Sequence, residues 1–281
     1  MNKIGVFIVG TSPLPIYISI KNYLENSGEK IILLATEDSE FSKGTLVYAE
    51  RLKESFLGED VEIVSIDKSN LNIIGTEINK IINSISSLDE SSEIYLDFTG
   101  GTKLQSAFIR EYFENNIDTK KDTLTLVYVD GYEKTIKLKD KATSKEIEVC
   151  FDDIDGADDE DEMIKICKLH GYSIEIKSSS VKAIRDDGEF SCNFDDVYMK
   201  GYNLEFASTL QYELGEKDSG KGKVKLEIFK NIIHSEQIGG SFANLDLIVP
   251  EAKEEKYRKL MNEFLGIKKN IYKDRISFNQ N

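Results

Sequence analysis

The sequence predicts an α/β chain with a mostly parallel sheet, followed by a smaller α+β domain. Three observations carry this expectation. Over the first 140 residues, short β-branched runs alternate with segments of helical periodicity. Between Asp152 and Glu162, eight of eleven residues are acidic, which marks a solvated linker. Beyond that stretch the βα alternation stops, and 281 residues is a length for two domains. The expected domains are residues 1–150 and 158–281.

The elements follow in order. Lys3–Gly10 (KIGVFIVG) is a buried strand ended by glycine, and Pro15–Ser27 is a helix with proline near its start. Lys30–Ala35 is a second strand, and Gly44–Leu57 a second helix with Leu46, Tyr48, Ala49, Leu52 and Phe56 inward. Val61–Ile66 is a third strand. Leu71–Ile85 repeats isoleucine at helical spacing (Ile74, Ile78, Ile81, Ile82, Ile85). Glu93–Phe98 is a fourth strand, with a helix over Thr102–Asn115. Leu124–Asp130 and Lys134–Leu138 form a hairpin around Gly131, giving the sheet an antiparallel edge. In the second part we expect helix (Glu160–His170), strand (Tyr172–Lys177), an irregular section, helix (Asp196–Leu214), strands (Val224–Ile233, Asn244–Val249), helix (Ala252–Leu265) and a polar tail from Lys268.

Composition excludes several classes. With 40% hydrophobic and 31% charged residues the chain is globular. No apolar run reaches the roughly 18–20 residues of a membrane helix. The opening MNKIGVFIVG reads as a strand entering a turn, not a signal peptide. Three widely spaced cysteines (Cys150, Cys167, Cys192) predict a reduced, cytoplasmic protein without a disulfide framework. Two histidines and no CxxC pair argue against zinc. A net charge of −15 argues against a long basic groove for nucleic acid. An anionic ligand must instead be held locally, by backbone N–H groups and a few placed cations.

Two loops fit that requirement, and both follow expected strands. Val9-Gly10-Thr11-Ser12-Pro13 follows the first, and Asp97-Phe98-Thr99-Gly100-Gly101-Thr102-Lys103 follows the fourth. Glycines let the chain turn with its N–H groups exposed, hydroxyls add donors, and Lys103 adds a point charge. Ligands of open α/β sheets bind outside the carboxyl ends of strands. The plainer reading of TGGT is a tight strand-to-helix turn with Thr102 as N-cap.

The pair VGTSPLP and LDFTGGTK resembles the CARF domain, the CRISPR-associated Rossmann-like sensor, over roughly residues 1–140. The resemblance implies a homodimer that binds a cyclic oligoadenylate. Gly10, Thr11 and Ser12 would lie in the first ligand loop and Thr99, Gly100, Gly101, Thr102 and Lys103 in the second. Gln105 would face the ligand one helical turn on. Some members also cleave their ring slowly by 2′-OH attack, which needs positioning and a cation such as Lys103. The second part of such effectors is often a PD-(D/E)xK nuclease acting on DNA or RNA with Mg²⁺ or Mn²⁺. Gly201-Tyr202-Asn203-Leu204-Glu205 resembles the start of its first helix, and Asn244–Asp246 its N-x-x-D strand, one residue short. Glu251-Ala252-Lys253 spells E-x-K. On that pattern Glu205 and Asp246 would hold metal, with Glu251 and Lys253 completing the centre. Only four residues separate Asp246 from Glu251, and Pro250 intervenes, so Glu251–Glu255 reads better as a first helical turn. The expected function is a ring sensor that activates this nuclease. The alternative is a ring nuclease or a non-catalytic sensor.

Overall fold

The computed structural model describes residues 1–39, 43–177, 180–215, 220–240, 243–250, 253–265 and 276–280. The chain divides into two compact units, Met1–Asp155 and Gly156–Asn281.

The first unit runs β1 (Asn2–Ile8), α1 (Leu14–Glu25), β2 (Lys30–Thr36), α2 (Leu46–Ser55), β3 (Asp60–Ile66), α3 (Leu71–Ser86), β4 (Ser92–Asp97), α4 (Lys103–Asn116), β5 (Thr123–Asp130), β6 (Thr135–Asp140) and β7 (Glu146–Cys150). The sheet order is β3-β2-β1-β4-β5-β6-β7. β1 to β5 are parallel, and β6 and β7 form an antiparallel extension. β7 is a strand beyond the sequence expectations. Its exposed alternation of Glu146, Ile147 and Glu148 lacks the apolar signature of a core strand.

Strand alternation builds two cores. Ile4, Val6 and Ile8 of β1 and Ile94 and Leu96 of β4 pack with Ile74, Ile78, Ile81 and Ile82 of α3 and Ile109 and Phe113 of α4. Phe7 and Tyr95 point the other way, where Tyr23 of α1 meets both rings with centroids 5.8 and 5.2 Å away. Strands buried on both faces read as continuous apolar runs, which is why β1, β2 and β4 are visible in the sequence.

The second unit contains α5 (Glu160–Leu169), β8 (Tyr172–Lys177), β9 (Ser180–Arg185), β10 (Ser191–Phe194), β11 (Asp196–Lys200), β12 (Asn203–Thr209), α6 (Lys221–Gly239), β13 (Asn244–Val249), α7 (Glu254–Leu265) and β14 (Ile276–Gln280). They form a three-stranded sheet β10-β9-β8 and a four-stranded sheet β11-β12-β13-β14.

Two sequence expectations are corrected here. Asp196–Leu214 is not a helix but contains the antiparallel pair β11–β12. Val197 and Met199, then Leu204, Phe206 and Ser208, are buried with period two. Gly201 and Tyr202 join the strands with φ of 54° and 61°, the geometry of a type I′ hairpin turn. Val224–Ile233 is not a strand but lies inside α6. Its β-branched residues suggest a strand, yet Val224, Ile228 and Ile232 are buried at i, i+4, i+8, which only a helix places on one face. The segment expected to be irregular holds β9 and β10, and the polar tail ends in β14.

Candidate functional site

The strand order reverses between β1 and β4, and the helices that follow them lie on opposite faces, so a crevice opens between the two strand ends. The loops after β1 and β4 meet there backbone to backbone. A Cβ on Gly100 would fall on the Ile8 carbonyl oxygen and the Gly10 nitrogen. A Cβ on Gly10 would lie 3.3 Å from the Gly100 Cα. Gly101 has φ +76°, in the left-handed region that favours glycine. Gly10, Thr11, Ser12, Thr99, Gly100 and Gly101 thus line one cleft of about 190 Å³. The glycines are required by close approach, beyond what a plain turn demands.

The remaining atoms fix this loop pair. The Thr99 hydroxyl accepts the Val129 N–H at 2.8 Å, tying the second loop to β5. Ser106 donates its hydroxyl to the Gly100 carbonyl at 2.5 Å. The Ser12 hydroxyl oxygen is buried and has no hydrogen-bond partner among the described residues. Thr11 lines the cleft and is exposed, and Lys103 is exposed at the start of α4. Lys103 makes no ion pair among the described residues, an uncommitted cation in a chain of net charge −15.

Beneath the loops, Asp97 ends β4 fully buried. Its Oδ1 accepts the Thr99 N–H at 2.7 Å, which shapes the turn into the glycines. Its Oδ2 has no hydrogen-bond partner among the described residues. Burial pushes its carboxyl up to about 6, against the lowering influence of Ser19 and Thr99. In the sequence Asp97 stands out only as part of the motif. The aspartate two residues before Thr99 is the available signal, since Asp commonly bonds the backbone N–H two residues on.

Thr102 and Gln105 have a structural task. Thr102 caps α4: its Oγ accepts the Gln105 N–H at 3.2 Å, and the Gln105 Oε1 accepts the Thr102 N–H at 2.9 Å. The Gln105 amide nitrogen donates to the Asp67 carbonyl at 3.1 Å, and the side chain is buried. In place of the ligand-facing position expected, Gln105 braces the second loop against the turn before α3.

In the second unit, Glu205 lies on β12 and not on a helix. Glu205 pairs in register with Asn244, and Asp246 with Ala207, so the two carboxylates sit diagonally on one face of adjacent strands. The Asn244 amide donates to Glu205 at 2.7 Å, and the Ser277 hydroxyl donates to Asp246. The Tyr198 phenol faces them. Its pKa is raised by burial and then by the charges of Glu205, Asp246 and Asp196. Lys253 is paired with Glu213 at 2.6 Å, away from this face. Glu251 lies outside the described residues. The helix preceding β13 is α6, and Glu227 lies on it. The Glu227 carboxylate accepts the Gln211 and Tyr212 N–H groups at 2.7 and 3.0 Å. Among the described residues no group of three or more His, Cys, Asp or Glu side chains is arranged to hold a metal ion. The two carboxylates described on this face are each bonded to a neighbour.

Comparison with known proteins places the first unit. Residues 4–150 match the family model of the Card1 CARF domain, and the chain belongs to that family. No curated protein matches it in sequence. Among solved structures it is similar to Can2 from Sulfobacillus thermosulfidooxidans in complex with cyclic tetra-adenylate. The TM-score there is 0.65 at 9% identity, covering 98% of this chain and 93% of that one. Protein VC1899 from Vibrio cholerae gives 0.65 at 9%, covering 99% and 94%. A type III CRISPR defence DNA nuclease activated by cyclic oligoadenylate gives 0.58 at 11%, covering 99% of this chain and 42% of that one. At these identities the likeness is one of fold. Among the described residues no helix is long and apolar enough to cross a membrane.

Proposed function

We propose that the protein is a cyclic-oligoadenylate sensor of type III CRISPR defence. The ring's phosphates lie on the Gly10–Ser12 and Thr99–Lys103 loops. The observation that carries this reading is the glycine-on-glycine contact at the sheet's reversal point. It presents loop backbone and the unpartnered Ser12 hydroxyl to one cleft, and Lys103 follows the second loop at the start of α4. Membership of the CARF family supports it. Each subunit supplies few donors, so two copies share one ring across a two-fold axis, as the ring's own symmetry favours. Leu104 and Ile73, apolar and half exposed on α4 and α3, are available to such an interface. Calorimetric titration with cyclic tri-, tetra- and hexa-adenylate tests the reading. Binding of one ring size, weakened by Lys103→Ala, supports it, and no binding of any ring refutes it.

A ring-activated nuclease in the second unit is a second reading, favoured by one observation: Glu205 and Asp246 share a strand face. Its test is ring-dependent cleavage of DNA or RNA by wild type that is lost in Glu205→Ala and in Asp246→Ala.

A further inference from the structure

The β5–β6 hairpin ends at the same edge of the sheet as the two site loops, because β5 runs parallel to β4. Thr99 already bonds Val129 at the end of β5. Two strand spacings, about 10 Å, separate β5 from β1. At the hairpin tip Tyr132 is 90% exposed, more than any other large apolar or aromatic side chain among the described residues. Its ring contributes nothing to the core, yet the backbone under it is pinned. The Asp130 carboxylate accepts the Tyr132 and Glu133 N–H groups at 3.0 and 3.1 Å. On the far side of the tip, the Lys134 carbonyl accepts the N–H of buried Phe151 at 3.0 Å. Both acidic side chains of the tip, Asp130 and Glu133, pair with Lys137 at 3.4 and 2.5 Å. Lys137 therefore offsets one of the two negative charges at the tip.

We propose that Tyr132 is the base-stacking residue of this site, covering the face of one adenine of a ring whose phosphates rest on the glycine loops. The inference rests on the ring-binding reading and deepens it. Phosphate groups have the same chemistry in every ring size, so charge alone discriminates weakly between rings. A stacking residue held at a fixed offset from those loops accepts only a ring whose base reaches it, so Tyr132 contributes to ring-size choice as well as affinity.

The chain has no tryptophan, so Tyr132→Trp introduces a single fluorescent reporter. Cyclic tri-, tetra- and hexa-adenylate are titrated into this variant, into Tyr132→Ala, Tyr132→Phe and wild type, and into Tyr212→Trp as a control in the second unit. The expected result is that ring quenches the indole emission of Tyr132→Trp, but not that of Tyr212→Trp, at the affinity measured by calorimetry. Tyr132→Ala should weaken binding about tenfold or more and narrow the difference between ring sizes, and Tyr132→Phe should stay near wild type. Suppose instead that wild type binds ring, the emission of Tyr132→Trp is unchanged and Tyr132→Ala binds within twofold of wild type. That result overturns the stacking role and leaves the sensor reading intact. A wild type that binds none of the rings overturns both.

Discussion

Asp97→Asn isolates the buried carboxyl at the base of the cleft. The unfolded chain releases this proton near 3.8, whereas the folded chain holds it to about 6. Between those values the folded state binds more protons, so stability falls as pH rises through the window. Above pH 7 it stays lower by about 3 kcal/mol than it would be with an unshifted carboxyl. Asparagine abolishes this linkage while its carbonyl oxygen still accepts the Thr99 N–H. The orphaned amide nitrogen adds a cost, about 1–3 kcal/mol, but one that does not vary with pH. The stability of the variant relative to wild type should therefore rise by about 1.4 kcal/mol between pH 5 and pH 8, roughly tenfold in the opening constant. Because the chain has two units, the assay must be local. Hydrogen exchange of β4 peptides, read by mass spectrometry on both proteins at each pH, supplies it. A difference that does not change with pH would refute the buried, proton-holding Asp97.

Two further predictions concern the loops and the second unit. Gly100→Ala should destabilise by about 1–3 kcal/mol and abolish ring binding. Gly10→Ala should do less in thermal unfolding, because its Cβ needs only a few tenths of an ångström; equal effects would contradict the contact described. Plasmid DNA and single-stranded RNA incubated with Mn²⁺ and the cognate ring separate the two readings of the second unit, and nucleic acid left intact by ring-bound wild type places the protein among non-nuclease sensors. Ring-dependent cleavage lost in both Glu205→Ala and Asp246→Ala would establish the nuclease reading instead.

What is legible in the sequence follows burial. β1, β2 and β4 are readable because both of their faces are covered and they are nearly continuous apolar runs. The glycine loops are readable because glycines beside hydroxyls recur at two strand ends, although the close approach that sets them apart from plain turns is visible only in the structure. The role of Gln105 is encoded in Thr102-x-x-Gln105, a capping box, but the resemblance draws attention to the ligand instead. Asp97 is hidden because an aspartate at a strand end looks the same in sequence whether it is capping in water or fully buried. Glu205 is misplaced when Gly201-Tyr202-Asn203-Leu204-Glu205 is matched to a helix start. Its two positive-φ residues make a hairpin, and a single sequence offers no way to see β11 pairing with β12. The carboxylate face of the second unit becomes visible only through the pairing of β12 with β13.

The central claim is that the cleft between the two loops holds one ring per two chains. Calorimetry with cyclic tri-, tetra- and hexa-adenylate on wild type and Lys103→Ala, alongside light scattering, measures it most directly. Binding of one ring per dimer is expected, with a loss of about 1.5–3 kcal/mol for each of the two lysines that Lys103→Ala removes from the shared ring. Undiminished affinity in Lys103→Ala, a monomeric mass with and without ring, or no binding of any of the three rings would contradict it.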